Sequence, residues 1–195
     1  MVINFDYEPG ATPLDPDETE GLIPSHISTH AQLNEWEMVN ILKGERWAFS
    51  RKRKNIFESD FIRQLHKRMF GDTWRWAGSF RTTEKSIGVD PLQIPSALFN
   101  LCEDAKTQLE HKSFPLEEIA VRFSHRLVAV HPFANGNGRL SRTIADLLLV
   151  QHGAERFTWG AGNLITEGDV RQRYLHALRA ADARDYAPLL AFVRS

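Results

Sequence analysis

A chain of 195 residues with 42% hydrophobic and 25% charged side chains has the size and composition of a single globular domain, with room for a small extra arm. Its 24 Lys and Arg against 25 Asp and Glu leave a net charge of -1, which argues against direct nucleic-acid binding, since that needs a dense positive surface. No apolar run reaches the ~20 residues that span a bilayer, and the lone Cys102 has no internal disulfide partner, a pattern that fits a reducing, cytoplasmic setting.

Residues 1–27 hold few apolar side chains and carry prolines at 9, 13, 16 and 24. They read as an extended arm lying along the domain surface. The arm lacks the basic and apolar regions of a secretory signal. From Ser28 the pattern becomes helical. Ser28 or Thr29 caps a helix whose stripe runs Leu33, Trp36, Val39, Asn40 and Trp47. The basic run at 51–55 reads as a solvated loop or helix start. A second helix covers 58–70, with Phe61, Leu65 and Met69 on one stripe and Gly71 closing it. Residues 74–95 are rich in aromatic, β-branched, Gly and Pro residues, which predicts irregular structure with a short β-hairpin, 79–83 against 86–89. Helices resume at 96–111 and after Ser113 and Pro115, the latter running to His131-Pro132 with Ile119, Phe123, Leu127 and Val130 buried. A helix over 138–152 carries Ile144, Leu147, Leu148 and Val150. Thr166 and Asp169 offer a capping pair for a helix over 167–181, and a short helix at 185–193 ends the series. The sum is an all-α domain over residues 28–195 with one small β-hairpin.

The segment HPFANGNGRLSR at 131–142 lies between two strong helical stripes, so it is a loop running into a helix N-terminus. Gly136 and Gly138 let backbone N–H groups turn toward one point and approach a ligand closely. The following helix adds unpaired N–H groups and the positive end of its dipole. Arg139 and Arg142, three apart, are neighbours on one helix face, and guanidinium forks match phosphate oxygens. His131 precedes the nest and can exchange a proton near neutral pH. Singly, each part has a plain structural explanation: a His at a helix end often caps or packs, Gly-Asn-Gly is often a turn, and paired arginines are often surface charge. In this order within twelve residues, they point to a phosphate site. The segment is not a Walker A loop, which needs a GK(S/T) ending, and it follows no strand, which argues against a dinucleotide fold. His125, His131 and His152 lack the spacing of a metal-dependent hydrolase.

This segment resembles the Fic family signature, H-x-F-x-(D/E)-G-N-(G/K)-R-x-x-R, with His131, Phe133, Gly136, Asn137, Gly138, Arg139 and Arg142 in the matching places. WAGSFRTTEKSIGVDPLQIP is similar to the family's target-docking flap, and the C-terminal RQRYLHALRAADARDYAPLLAFV to its closing helices. The N-terminal ATPLDPDETEGLIPSHISTHAQLNEWE resembles the bacterial subfamily called mobile mystery protein B. The resemblance implies a Fic-type helical bundle that moves AMP from ATP onto a Ser, Thr or Tyr hydroxyl of a target protein. It implies His131 as general base and Phe133 as the core anchor of the loop. Gly136, Asn137 and Gly138 would hold phosphates through backbone N–H groups, Arg139 and Arg142 would clamp the β- and γ-phosphates, and Mg²⁺ would bridge phosphate oxygens. Ser86, Ile87, Gly88 and Val89 of the flap would dock the target segment. The subfamily resemblance also suggests a helix-turn-helix or antitoxin-like partner in a mobile-element setting, and a homodimer is a further expectation.

Two departures stand out. Asn135 takes the place of the family's acidic residue, which normally holds Mg²⁺, so metal binding is expected to weaken rather than vanish. Glu20-Gly21 matches the end of the family's inhibitory motif, (S/T)-x-x-x-E-(G/N), but Pro16 stands where Ser or Thr is required. Glu20 is thus a candidate for intramolecular inhibition, with a separate partner protein as the alternative. In the family this intact Gly136-Asn137-Gly138 run favours AMP transfer over phosphoryl transfer, and phosphocholine transfer on the same fold stays an alternative. A binding module without turnover stays open because Asn135 brings no charge.

Overall fold

Most of the helical stripes in the sequence find a partner to bury them in the computed structural model, which describes residues 15–161, 164 and 168–195. A single turn, α1 (Pro16–Thr19), is capped reciprocally by Asp15 and Glu18. α2 (His30–Phe49) starts from a capping box made by Thr29 and Gln32. α3 (Ser59–Phe70) buries Phe61, Ile62, Leu65, Met69 and Phe70 and ends at Gly71. α4 (Ile94–Glu110) begins earlier than the periodicity predicts, because Pro95 suits the first helical turn. α5 (Leu116–Val130) and α6 (Asn137–Gln151) follow the expected stripes. α7 (Asp169–Asp182) and α8 (Ala187–Val193) close the described chain. The expected cap residue Thr166 lies outside the described residues.

α5 and α6 pack on each other at the centre, with α4 against α5, α3 against α2, and α8 against α7. Phe70, Trp74, Phe123 and Phe133 fill the space between these pairs. The loop 131–136 joins the two central helices, so its backbone is set by the core on both sides.

Two sequence expectations are corrected. The buried stripe of α2 is Leu33, Glu37, Asn40, Gly44 and Ala48, whereas Trp36 and Val39 face outward. The reason is polar satisfaction: Asn40 bonds the Asp72 N–H and the Arg68 carbonyl, and Glu37 holds two donors described below. A buried polar group with its partners in place is stable where an unpaired one is costly. Val150 on α6 is likewise exposed. Second, the hairpin expected at 79–83 and 86–89 does not form; no strand occurs among the described residues of this segment. Arg81 takes its place. Its buried guanidinium donates to the carbonyls of Thr83, Val89 and His131, using acceptors that a strand ladder would have needed. The flap is therefore a loop gathered around one arginine.

Residues 15–23 lie against residues 73–76 and the flap. Lys85 pairs with Asp15 at 2.7 Å and with Glu18 at 2.5 Å, and the Thr83 hydroxyl donates to Glu18. The Trp76 indole donates to the Glu18 carbonyl, and Leu22 pairs with Trp74 in an isolated antiparallel bridge.

Candidate active site

His131 sits at the C-terminal end of α5 in the left-handed conformation, φ 51° and ψ 59°, where the chain leaves the helix and turns into the loop. Its side chain is buried. Nδ1 lies 3.3 Å from the Val128 carbonyl, which can only accept, so Nδ1 carries the hydrogen and the ring's lone pair is on Nε2. Burial pushes its pKa down to about 4. The nearby Arg81 and Lys85 charges push the same way, against the raising effect of the Val128 carbonyl. His131 is thus a neutral imidazole at pH 7.

The loop beyond it is stapled by side chains rather than by a ladder. Asn137 is buried and bonds Phe133 twice, Oδ1 accepting from its N–H and Nδ2 donating to its carbonyl. Phe133 is itself buried, stacked on His66 with centroids 3.8 Å apart. Gly136 has φ +82°, and a Cβ there would meet the Phe70 ring at 2.6 Å, so only Gly serves at this turn. α6 begins at the next residue. The N–H groups of Asn137, Gly138 and Arg139 belong to its first turn, where no helical carbonyl can reach them. They are the N–H groups that a helix N-terminus leaves without intrahelical partners, at the place where the sequence pattern expects a nest.

The two arginines have different surroundings. Arg139 meets Glu37 Oε2 at 2.5 Å, and Glu37 Oε1 accepts from the Trp74 indole at 2.6 Å. The Glu37 side chain is 3% exposed. Arg139 also lies over the Phe70 ring. Arg142 makes no ion pair among the described residues and stacks near Tyr174. Both arginines line a cleft of about 390 Å³ between α2 and α6, with Met38, Leu42 and Trp159 on its apolar side.

The flap closes over His131. Val89 N–H bonds the Val130 carbonyl and Arg81 N–H the Pro132 carbonyl. Gly88 has φ +120°, and a Cβ there would meet Arg81 Nη2 at 2.5 Å and His131 Cβ at 2.8 Å. Ser86 and Ile87 are exposed on its outer side. Glu20 stands apart from this cluster. It is exposed, its carbonyl accepts from Arg75, and its carboxylate makes no ion pair among the described residues.

Asn135 Oδ1 accepts from the Gly136 N–H at 2.6 Å. Among the described residues no group of three His, Cys, Asp or Glu side chains could hold a metal. Asn135 therefore offers one neutral oxygen, which fits a hard cation only when phosphate oxygens supply the other ligands.

A family model for Fic/DOC proteins matches residues 56–149. The chain carries a Fic/DOC family domain. Protein adenylyltransferase Fic of Drosophila melanogaster is 30% identical over 137 residues, 68% of this chain and 26% of that protein. Protein adenylyltransferase fic-1 of Caenorhabditis elegans is 28% identical over 139 residues, 69% of this chain and 26% of that protein. The chain thus spans about a quarter of the length of these curated relatives. Among solved structures, the BepC protein of Bartonella tribocorum with bound AMPPNP superimposes with a TM-score of 0.69 at 18% identity, covering 91% of this chain and 95% of that one. The Fic fold accounts for the all-α architecture and for the loop between α5 and α6. No described helix is long and apolar enough to cross a membrane.

Sequence reasoning missed three residues of this Fic domain: Glu37, His66 and Arg81. A signal existed for the first two. Each is a polar residue on an otherwise buried helical stripe, which marks a side chain with specific partners. Arg81 has no such periodic context.

Two neutral buried histidines make the domain acid-sensitive. Burial pushes His66 down to about 3 and His131 to about 4, against about 6.5 in the unfolded chain. Their neutral forms stabilise the fold fully above pH 6.5, and this contribution falls as pH drops toward the folded values. At pH 5 the loss is about 2 kcal/mol for each. Urea denaturation at pH 7.5 and pH 5 should show a clearly lower midpoint at pH 5; equal midpoints would contradict neutral burial.

Proposed function

We propose that the protein moves AMP from ATP onto a Ser, Thr or Tyr hydroxyl of a target protein, with His131 as general base. The observation that carries this reading is a buried imidazole with its lone pair on Nε2, set beside an N–H nest at a helix N-terminus and under the flap. The target hydroxyl oxygen attacks the α-phosphorus of ATP while its proton passes to His131 Nε2. The bond between the α-phosphorus and the bridging oxygen breaks, and pyrophosphate leaves with that electron pair. The N–H groups of Asn137, Gly138 and Arg139 hold the phosphates, and Arg142 meets the departing charge. Arg139 contributes less charge than the signature implies, because Glu37 already neutralises it. Mg²⁺, held by Asn135 Oδ1 and phosphate oxygens, would neutralise charge developing on the phosphates. Ser86, Ile87 and Gly88, exposed on the flap, offer backbone edge groups for an extended target segment, whereas the N–H and carbonyl of Val89 are already taken by Val130 and Arg81.

The finer setting is also proposed. A cytoplasmic protein with an arm at 1–27 and a Fic domain over 28–195 is the reading of the sequence pattern, and a helix-turn-helix or antitoxin-like partner is what the resemblance to the mobile mystery subfamily implies. Glu20 is retained as an inhibitory candidate, to be read from Glu20→Gly activity.

The test uses purified protein with magnesium and ATP labelled on the α- or the γ-phosphate, a bacterial lysate as the source of targets, and His131→Ala as control. Label from the α-phosphate on protein, absent in His131→Ala, is the expected result. Label from the γ-phosphate alone would replace the reading with phosphoryl transfer, and no label from either would favour a binding module. Asn135→Asp should lower the magnesium concentration that gives half-maximal activity, since it adds a charged hard ligand. An unchanged magnesium requirement would remove Asn135 from the metal site.

A further inference from the structure

His66 lies on α3, outside the signature loop, and its side chain is completely buried. Both ring nitrogens have backbone partners. Nδ1 lies 2.9 Å from the Gly78 N–H, and Nε2 lies 3.0 Å from the Asn135 carbonyl. The amide can only donate and the carbonyl can only accept, so the tautomer is fixed: Nδ1 accepts, and Nε2–H donates. The ring also stacks on Phe133 at an interplanar angle of 15°. One side chain therefore touches the Trp-Ala-Gly segment at Gly78, the anchor of the signature loop at Phe133, and the Asn135 carbonyl, two residues before α6 begins.

We propose that His66 is a positioning residue for the nucleotide site: by holding the Asn135 carbonyl from α3, it sets the peptide plane that leads into the nest. The planar peptide links the Asn135 carbonyl rigidly to the Gly136 N–H on its opposite side. Fixing the carbonyl fixes that amide, which in turn holds Asn135 Oδ1. Gly136, at φ +82° and packed so closely that a Cβ would meet the Phe70 ring, joins this plane to the first turn of α6, where Asn137, Gly138 and Arg139 present their N–H groups. Asn137 staples the loop to Phe133 and Arg81 holds the His131 carbonyl, but neither contact reaches the Asn135 backbone. His66 supplies that third anchor and ties it to Gly78, three residues before Arg81. The flap and the nest thus share one support. This inference rests on the nucleotidyl-transfer reading for its ligand, and on geometry alone for the anchor.

Two variants separate the bonds. In His66→Asn, the amide oxygen takes the place of Nδ1 and keeps the Gly78 contact, while the donor to Asn135 is lost. In His66→Gln, the terminal NH₂ reaches the place of Nε2 and keeps the donor. The Kd for ATP and for pyrophosphate, measured on folded fractions, should rise at least about tenfold in His66→Asn and stay within about threefold in His66→Gln, the scale of one buried hydrogen bond. Amide hydrogen exchange at 136–139 should quicken in His66→Asn and be rescued in His66→Gln. Equal affinities in both variants, with only thermal stability changed, would make His66 a packing residue and overturn the proposal. The wild-type protein gives a measurement that needs no variant: the imidazole ¹⁵N shifts of His66 must report hydrogen on Nε2, and hydrogen on Nδ1 refutes the anchor. Wild-type protein that binds neither ATP nor pyrophosphate sinks the nucleotide reading, and hydrogen exchange at 136–139 then decides the anchor by itself.

Discussion

Replacing His131 with Ala is expected to lower protein-linked AMP by about 10²–10⁴-fold, the usual contribution of a positioned general base. ATP binding should change little, because the nest is built from the backbone of α6 and from Arg142 rather than from the imidazole. The expected signature is a collapse of kcat with a nearly constant ATP affinity. The pH profile carries a second signature. In the unliganded protein, burial and the Arg81 and Lys85 charges hold His131 near 4, so the acid limb of kcat/KM should lie well below the 6.5 of a solvated imidazole. Bound triphosphate brings negative charge beside the ring and favours its protonated form. The acid limb of kcat should therefore fall at higher pH than that of kcat/KM. Identical limbs at 6.5 would mean that His131 is neither buried nor the base.

Removing Glu37 is expected to give the largest loss of stability among single changes near the site. Its carboxylate is 3% exposed and holds both the Arg139 guanidinium, 18% exposed, and the Trp74 indole. Glu37→Ala leaves a largely buried cation and a buried indole N–H without their acceptor. Breaking one side of a buried ion pair costs about 3–5 kcal/mol. Urea denaturation should show a loss of that size in Glu37→Ala, with a smaller loss in Glu37→Gln, which keeps an oxygen for the indole. The double variant Glu37→Leu with Arg139→Met should recover much of the stability, since two apolar groups of similar shape leave no orphan charge. A loss below 1 kcal/mol in Glu37→Ala would show that the pair is solvated rather than buried. The pair also explains why the two signature arginines are not equivalent. Arg139 is already neutralised, so Arg142→Ala should weaken ATP binding more than Arg139→Ala.

The sequence by itself determined the helices, the loop and the order of the chemistry. Apolar stripes at helical spacing located α3 through α6, because a stripe of that period can be buried in only one secondary structure. The run from His131 to Arg142 placed an imidazole, a glycine turn and a helix N-terminus in sequence, and local geometry alone makes those three neighbours. Tertiary structure decided everything that depends on contacts between distant segments. Glu37 meets Arg139 across α2 and α6, His66 meets Asn135 across α3 and the loop, and Arg81 replaces the expected hairpin by collecting carbonyls from Thr83, Val89 and His131. Periodicity registers whether a side chain is apolar, not which distant polar group will satisfy it. That is why Trp36 and Val39 were expected in the core and Glu37 was not: the buried face of α2 was chosen by hydrogen-bond partners that exist only once the chain has folded.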